Sequence, residues 1–374
     1  SATPGCRMPE NREQDRSDKA LVKAACTHFL SQHPSVPVSQ RLCQLAALPY
    51  AAEQPDLYGK GGATALLERR VADMLGKPAA LFFTKGVTAQ LCSLRVHMEA
   101  AGISRVALHP QSHLDVDEAG AIHRVGGAEV VRLGRYQPFS LADLQAVGER
   151  LAAVVIELPL RRSGYLLPKM EALQAISDYC RARQIALHLD GARLWEAAAA
   201  YGVSLEHLAA LADSVYVSFY KGLGGLGGAM LLGENDHIAA ALPWKTRYGG
   251  DHFTSYPQAI SALAGLDDHV GRMGHYTARA RSLAAALDGS IDAIVHPKPP
   301  HSNAFQLLIE GTPAELTERN LAFARNHGVW LFNAFTEAPL AGRSVGEIVI
   351  GAAADSYTDD EAVRWLSRFT QQDR

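Results

Sequence analysis

The chain has 374 residues, a hydrophobic fraction of 48% and a formal net charge of −3. This nearly balanced charge argues against a binding surface for nucleic acid or for an anionic membrane. No run of about 18 apolar residues is present, so we expect no membrane-spanning helix. The five cysteines, an odd number without a C-x-x-C pair, are typical of reduced thiols, and we expect a cytoplasmic protein.

The sequence also argues against a targeting segment and a metal site. Residues 1–25 are polar and lack the apolar core of a signal peptide, so we expect a mobile arm. The histidines contain no H-E-x-x-H pattern. His109 and His113 stand four residues apart, but Pro110 lies between them and no third ligand follows nearby.

From the arm to about residue 250, apolar strand-like runs alternate with amphipathic helical ones. The pattern predicts helices at 64–75, 87–100, 141–151 and from 169 onward, and strands at 79–84, 105–109, 129–133, 152–158, 185–190 and 214–219. Strands this apolar are buried on both faces of a sheet. We therefore predict a large α/β domain, residues 26–250, with a mostly parallel central sheet flanked by helices.

The pattern changes in residues 251–374, which we predict to form a smaller α+β domain. A long helical stretch runs from Ser255 past Leu283. Strands are expected at 303–310 and 347–352, with a helix at 313–328 between them. Thr358 begins a T-x-x-E capping box that predicts the final helix.

A glycine-rich loop follows the strand at 214–219. Gly222, Gly224 and Gly227 spell G-x-G-x-x-G, the pattern of a dinucleotide loop. That loop requires a helix after the glycines, yet residues 228–233 (GAMLLG) read as another strand. We therefore favour a second interpretation, in which the glycines clear space around Lys221.

Asp190 closes an apolar strand and so lies at the carboxyl edge of the predicted sheet, where open α/β sheets bind ligands. A carboxylate there can pair with the pyridinium nitrogen of pyridoxal phosphate and keep the ring protonated. Each residue also has a plainer interpretation. Asp190 alone could cap the next helix, and Lys221 alone could be a solvated charge.

The segments HLDGARLW (188–195) and SFYKGLGG (218–225) together resemble the threonine aldolase family, within the β-eliminating lyases of the aspartate aminotransferase fold. The resemblance extends from roughly residue 30 to the C-terminus. It implies a fold type I enzyme that uses pyridoxal 5′-phosphate, with Lys221 as the covalent attachment point and Asp190 as the pyridinium partner. It also implies cleavage of the Cα–Cβ bond of a β-hydroxy-α-amino acid to glycine and an aldehyde.

The resemblance assigns further residues to the site. Catalysis is assigned to Lys221, His113 and Asp190. Cofactor contacts are assigned to these three and to Gly86, Val87, Thr88, Arg193, Lys245 and Arg247. The resemblance implies that His113 stacks on the cofactor ring. It also implies that the segment at 86–88 begins a helix that holds the phosphate, and that Lys245 or Arg247 contacts the phosphate too. Substrate contacts are assigned to Ser31, Arg193, Tyr58, Arg343 and Glu347.

Three positions depart from the family pattern. Leu160 replaces a polar histidine that faces the substrate, Tyr220 replaces the serine before the lysine, and Glu347 stands where the family has an arginine, with Arg343 four residues earlier. Either Arg343 or Glu347 could therefore face the substrate. These differences concern the substrate rather than the cofactor.

Tyr58 belongs to a segment that lies at a subunit interface in similar enzymes, so the resemblance implies a homodimer or homotetramer with shared active sites. Three other functions stay open from the sequence. The chain could be a β-eliminating lyase or a racemase on the same cofactor, or a carrier or regulator that binds pyridoxal phosphate without turnover.

Overall fold

A computed structural model describes residues 18–371. Its strands are β1 (His28–Phe29), β2 (Ala79–Phe83), β3 (Arg105–Leu108), β4 (Glu129–Arg132), β5 (Ala153–Glu157), β6 (Ala186–Gly191), β7 (Ser214–Ser218), β8 (Ala229–Gly233), β9 (Ala293–His296), β10 (Ala304–Glu310), β11 (Val329–Trp330), β12 (Phe335–Glu337) and β13 (Arg343–Val349). Its α-helices span Val38–Ala46, Gly62–Leu75, Gly86–Ala101, His113–Val116, Ala121–Arg124, Leu141–Gln145, Met170–Ala182, Leu194–Tyr201, Leu205–Ala209, Asn235–Arg247, Tyr256–His269, Met273–Leu287, Pro313–His327 and Asp359–Thr370, and residues 18–24 are also helical.

The described chain divides into two compact units. The larger comprises Ser39–Arg281 and Pro299–Phe305, and the smaller comprises the described residues up to Val38, Ser282–Lys298 and those from Gln306 onward. The domain boundaries inferred from the sequence, after residues 25 and 250, stay predictions. Residues 1–17 of the expected arm lie outside the described part of the chain.

The larger unit contains a seven-stranded sheet in the order β2-β8-β7-β6-β5-β3-β4. Within it β8 runs antiparallel to both β2 and β7, whereas β7, β6, β5, β3 and β4 pair in parallel. Strands β5 and β7 are buried along their whole length, as their apolar sequences predict. The predicted α/β fold is confirmed, and so is the strand after the glycine-rich loop.

The smaller unit contains a four-stranded sheet in the order β12-β13-β10-β9. The final helix begins with the predicted capping box, in which Thr358 and Glu361 bond each other's backbone amides. The last strand was predicted too late in the chain. It begins at Arg343 because Ser344–Gly346 pair with β12, and it ends at Val349.

Two predicted helices differ in length. The stretch from Ser255 past Leu283 is two helices joined by a 3-10 turn at Val270–Arg272, which contains Gly271, a poor helix former. The helix predicted at 141–151 ends at Gln145, shortly before Gly148. Among the described residues, no helix has the length and apolar character needed to cross a bilayer.

Three histidines and two serines form a buried hydrogen-bonded cluster beneath the sheet. The Ser214 hydroxyl lies 2.7 Å from His188 Nδ1 and 2.7 Å from His97 Nε2. Ser93 Oγ lies 2.9 Å from Ser214 Oγ and 3.0 Å from His237 Nε2. Burial lowers the pKa of His188 to about 3 and that of His237 to about 4, and it lowers the pKa of His97 as well.

We expect this cluster to make the free energy of unfolding depend on pH below neutrality. The folded pKa values lie below the unfolded value of about 6.5, so the unfolded chain binds more protons between them. Stability is therefore complete above about pH 6.5 and is lost toward pH 4, by ~1.4 kcal/mol per pH unit for each histidine protonated only on unfolding.

Urea unfolding between pH 7 and pH 4.5 measures this dependence. His237→Asn should reduce the slope of the free energy of unfolding against pH by the equivalent of up to one bound proton. Ser93→Ala is the control, because it removes hydrogen bonds but keeps the histidines, so it should lower stability without changing the slope. Equal slopes in the wild type and His237→Asn would contradict the expectation.

Candidate active site

Three polar side chains lie side by side on adjacent parallel strands of the larger unit. Glu157 on β5 is in register with Asp190 on β6, and Asp190 is in register with Tyr216 on β7. They are 8%, 1% and 2% exposed, respectively. Two carboxyl groups and a phenol thus lie together in the interior, toward the carboxyl ends of the strands, where α/β folds bind ligands.

Asp190 is held by two donors. Its Oδ2 accepts a hydrogen bond from Gln90 Nε2 at 3.0 Å, and its Oδ1 accepts one from the backbone N–H of Ala192 at 3.2 Å. A carboxylate has about four acceptor positions, so Asp190 can still accept from a ligand N–H.

Glu157 ties two segments to the end of β5. Its Oε2 accepts from the backbone N–H of His113 at 2.7 Å, and its Oε1 accepts from that of Arg161 at 3.2 Å. Burial and then the neighbouring Asp190 carboxylate raise the pKa of Glu157 to about 7. We therefore expect Glu157 to be partly protonated near neutral pH.

Lys221 follows β7 by three residues and is half-buried. The loop turns back at once, since the N–H of Gly224 donates to the Lys221 carbonyl at 3.0 Å and the N–H of Gly225 donates to the Phe219 carbonyl at 2.8 Å. Burial and then the Arg193 charge lower the pKa of Lys221 to about 8, against the opposite pull of the carboxylates. A larger fraction of its amine is thus in the unprotonated, nucleophilic form.

Gly86 begins a 16-residue helix whose first turn has no side-chain cap, so its amide groups are available to an anion. A Cβ at Gly86 would lie 2.2 Å from Tyr216 Oη, so only glycine lets the helix start this close to the sheet. Val87 and Thr88 are half-buried in the same turn. The structure thus brings the predicted phosphate segment beside the row of polar strand residues.

His113 begins a short helix after β3 and is joined to Glu157 through its backbone. Its ring nitrogens lie near two carboxylates, Nδ1 at 3.1 Å from Asp117 Oδ2 and Nε2 at 2.6 Å from Glu118 Oε1. The ring is partly exposed, with 30% of the side chain accessible. This exposure leaves a face of the ring available for contact.

Arg193 directly precedes the helix Leu194–Tyr201 and is half-buried. Its guanidinium lies 5.3 Å from the centre of the Tyr165 ring. Its positive charge acts on both Glu157 and Lys221, which places it in the same cluster.

Lys245 and Arg247, the two candidates for the cofactor phosphate, differ sharply. Lys245 is 4% exposed and its ammonium would lie 3.4 Å from a Cβ at Gly59, next to Tyr58. Arg247 is exposed and stacks on Trp244, with its guanidinium 4.5 Å from the ring centre. Tyr58 is 59% exposed. The structure therefore brings Lys245 and the Tyr58–Gly59 turn together and leaves Arg247 on the surface.

The remaining predicted substrate residues belong to the smaller unit. Ser31 Oγ accepts a hydrogen bond from the backbone N–H of Val349 at 3.2 Å. Val349 and Glu347 share one face of β13 and are adjacent on it. Arg343 lies at the other end of the strand, four residues and therefore roughly 13 Å from Glu347. Its Nη1 donates to the Leu308 carbonyl at 3.1 Å. Within this unit, Ser31 thus lies at the Glu347 end of β13.

Leu160 and Tyr220 are the other two positions that differ from the family pattern. Leu160 is 3% exposed and pairs with Leu166 through backbone hydrogen bonds of 2.8 and 3.2 Å, so it forms part of a packed turn. Tyr220 contacts the lysine itself, with Lys221 Nζ 5.7 Å from its ring centre.

The sequence analysis did not assign Gln90, Tyr216 or Arg162 to the site. Tyr216 carried a usable signal, because its hydroxyl group lies on a strand that the sequence predicts to be buried. Gln90 carried none, because its helix contains several other polar residues. Arg162 lies in a loop, and its bond to Asp117 depends on the fold alone.

Comparison with known proteins places the chain among enzymes with this architecture. The model of the β-eliminating lyase family matches residues 45–308. The chain belongs to the β-eliminating lyase family. Members of this family depend on pyridoxal phosphate.

Three β-eliminating lyase relatives illustrate the range of similarity. A solved structure from Listeria monocytogenes EGD-E, assigned as an L-allo-threonine aldolase, is 33% identical, with a TM-score of 0.86 over 94% of this chain and 99% of that one. Aldolase vrtJ of Penicillium aethiopicum is 37% identical over 56% of this chain and 55% of its own length, so the match spans about half of that relative. The low specificity L-threonine aldolase of Escherichia coli K12 is 29% identical over 61% of this chain and 70% of its own.

The larger unit of this member of the β-eliminating lyase family fits pyridoxal phosphate. Asp190 is a buried carboxylate with acceptor capacity left, and the first turn of the helix at Gly86 is uncapped beside Tyr216. Lys221, with its lowered pKa, lies in the same electrostatic cluster as Asp190. An acidic partner, an anion-binding helix start and a nucleophilic amine are the groups that this cofactor needs.

Proposed function

We propose that the chain is a pyridoxal-phosphate-dependent lyase that cleaves the Cα–Cβ bond of a β-hydroxy-α-amino acid, yielding glycine and an aldehyde. The observation that carries this proposal is that the charge of the buried Asp190 acts on Lys221, whose pKa is lowered to about 8 by burial, so the two groups belong to one cluster. The family membership and the threonine aldolase relatives support the same reaction class.

In this proposal each residue has a distinct task. When bound, pyridoxal phosphate accepts the electrons released as a bond to the substrate α-carbon breaks. Lys221 Nζ would be the group that holds the cofactor covalently. Asp190 holds a proton on the ring nitrogen, and Gln90 keeps that carboxylate oriented. The amides of the turn at Gly86 and the side chain of Lys245 hold the phosphate.

The substrate is held so that the Cα–Cβ bond is the one that breaks. Arg193 binds the substrate carboxylate. His113 stacks on the cofactor ring and helps to move the proton of the β-hydroxyl group. Orientation of this kind supplies several kcal/mol of the barrier reduction, about 7–11 kcal/mol in the best-aligned cases.

The test of this function is product analysis with a panel of β-hydroxy-α-amino acids. We expect glycine and the matching aldehyde in equal amounts over many turnovers. Formation of a keto acid and ammonia would instead identify a β-eliminating lyase, and inversion at Cα without cleavage would identify a racemase. Binding of the cofactor with no turnover on any substrate would identify a carrier or regulator.

We expect L-threonine to be a poorer substrate than a β-hydroxy amino acid with a larger side chain. Glu347 lies at the Ser31 end of β13. If its carboxylate faced the substrate carboxylate about 4 Å away, the repulsion would cost on the order of 1–4 kcal/mol. Leu160 would add an apolar wall. The measurement is kcat/KM for L-threonine and L-phenylserine in the wild type, Glu347→Ala and Arg343→Ala. If L-threonine is the best substrate and Glu347→Ala changes no ratio, this expectation is wrong.

We further propose a homodimer or homotetramer with shared sites. The exposed Tyr58 and Phe253 rings pack edge to face at 5.6 Å beside the buried Lys245. Mixing inactive Lys221→Ala subunits with Tyr58→Phe subunits should restore part of the activity if each site draws on two chains. A monomer in sedimentation, or no recovery on mixing, would contradict shared sites.

A further inference from the structure

His113 is held through both of its ring nitrogens. Asp117 Oδ2 lies 3.1 Å from Nδ1 and Glu118 Oε1 lies 2.6 Å from Nε2. A ring contacted on opposite edges can neither flip nor tilt without losing a hydrogen bond, because imidazole has only these two polar atoms. Two carboxylates therefore define the plane of the His113 ring.

The Asp117 carboxylate is itself held by Arg162. Arg162 Nε donates to Asp117 Oδ2 at 3.1 Å and Nη2 donates to Oδ1 at 2.6 Å, so the contact is bidentate. Burial alone would raise the pKa of Asp117, but the hydrogen bonds and charge of Arg162 lower it overall. Arg162 thereby keeps the Asp117 carboxylate ionised and fixes its orientation.

Arg162 comes from a separate part of the larger unit. It lies in the turn after β5, which is joined to the end of β5 by the bond from the Arg161 N–H to Glu157. His113 is bonded to the other oxygen of the same Glu157. The two segments are thus fixed to each other twice, once through Glu157 and once through Arg162 and Asp117.

We propose that Arg162 is a positioning residue that acts through Asp117 to set the orientation of the His113 ring. The functional part of this proposal rests on the proposed function, in which His113 stacks on the cofactor. Arg162 acts on the His113 ring through the Asp117 carboxylate. Its effect is to prevent the ring from turning away from its stacking position.

The chain offers a matched control. Arg132 binds Asp115 in the same bidentate manner, with Nε to Oδ2 at 2.6 Å and Nη2 to Oδ1 at 2.9 Å. Asp115 lies two residues before Asp117, and its Oδ1 is 3.9 Å from His123 Nε2. Arg132→Gln therefore removes an arginine–aspartate pair from the same short segment without removing the support of His113.

The first measurement is made on the cofactor-free protein, so it does not depend on the proposed reaction. Each variant is treated with diethyl pyrocarbonate, and the rate of carbethoxylation of His113 is followed by peptide mass spectrometry. Arg162→Gln and Asp117→Asn should raise this rate about fivefold, the scale expected for loss of a partly exposed ion pair. Arg132→Gln should leave it at the wild-type value.

The second measurement is made on the cofactor-loaded protein. In Arg162→Gln, kcat should fall on the order of tenfold with KM little changed, and the visible circular dichroism of the bound cofactor should change. Equal His113 carbethoxylation in wild type, Arg162→Gln and Asp117→Asn would overturn the proposal. A faster rate without any change in dichroism or kcat would show that Arg162 orients a ring without consequence for the site, and would also overturn it.

Discussion

Lys221→Ala should lower kcat/KM by a factor of at least about 10³, because the substitution removes the amine that we propose as the attachment point of the cofactor. Borohydride reduction of the wild type followed by peptide mapping should place the cofactor on the Lys221 peptide, and the variant should give no such peptide. The lowered pKa of Lys221 is the physical reason that we expect this lysine to react in preference to surface lysines.

Lys77→Ala is the matched control for this substitution. Lys77 is also half-buried, and burial lowers its pKa as it does for Lys221. Its ammonium, however, donates to the Ala212 carbonyl at 2.6 Å, and Ala212 precedes β7, whereas Lys221 follows β7. It should keep both labelling and activity. A labelled peptide other than that of Lys221 would refute the assignment of the attachment site.

Asp190→Asn should lower kcat/KM on the order of 10³-fold while leaving the fold intact. The amide matches the carboxylate in shape but cannot hold a proton on the ring nitrogen by charge, so the cofactor would accept electrons less well. Buried Asp190 would also lose its ionic hydrogen bond from Gln90. The measurement is single-turnover cleavage together with thermal unfolding of the cofactor-free protein.

Glu157→Gln provides the comparison at the neighbouring strand. Because the pKa of Glu157 is raised to about 7, this acid is already partly protonated near neutral pH, and a neutral amide resembles it more closely. We expect a loss of about tenfold or less at pH 7. If Glu157→Gln and Asp190→Asn were equally damaging, the distinct task proposed for Asp190 would be wrong.

Much of the larger unit could be predicted from local pattern. The apolar runs predicted β2 to β8 with boundaries close to those observed. For β5, β7 and β8 the reason is that strands buried along their whole length have a recognisable apolar composition, whereas the edge strand β4 is partly exposed. The strand after the glycines, β8, was predicted from its own residues and removed the dinucleotide interpretation. The capping box at Thr358 was equally local, since its two partners are three residues apart.

The smaller unit was harder, for a physical reason. The start of β13 at Arg343 depends on pairing with β12, a three-residue strand too short to be recognised alone. The hydrogen bond from the Val349 N–H to Ser31 shows that Ser31 lies at the Glu347 end of the strand rather than at the Arg343 end. Sequence spacing could not choose between them, because both stand on the same face of β13.

By itself the sequence determined the alternation of strands and helices, the strand–glycine–strand unit that carries Lys221, and the position of Asp190 at a strand end. Only the tertiary structure decided which distant residues meet these groups. Gln90 reaches Asp190 across 100 positions of the chain, and Arg162 reaches Asp117 across 45. Helical and strand periodicity act over a few residues, whereas such contacts depend on the spatial order of strands. In this sheet β5 lies between β3 and β6, which brings the segments after β3, β5 and β6 to one edge.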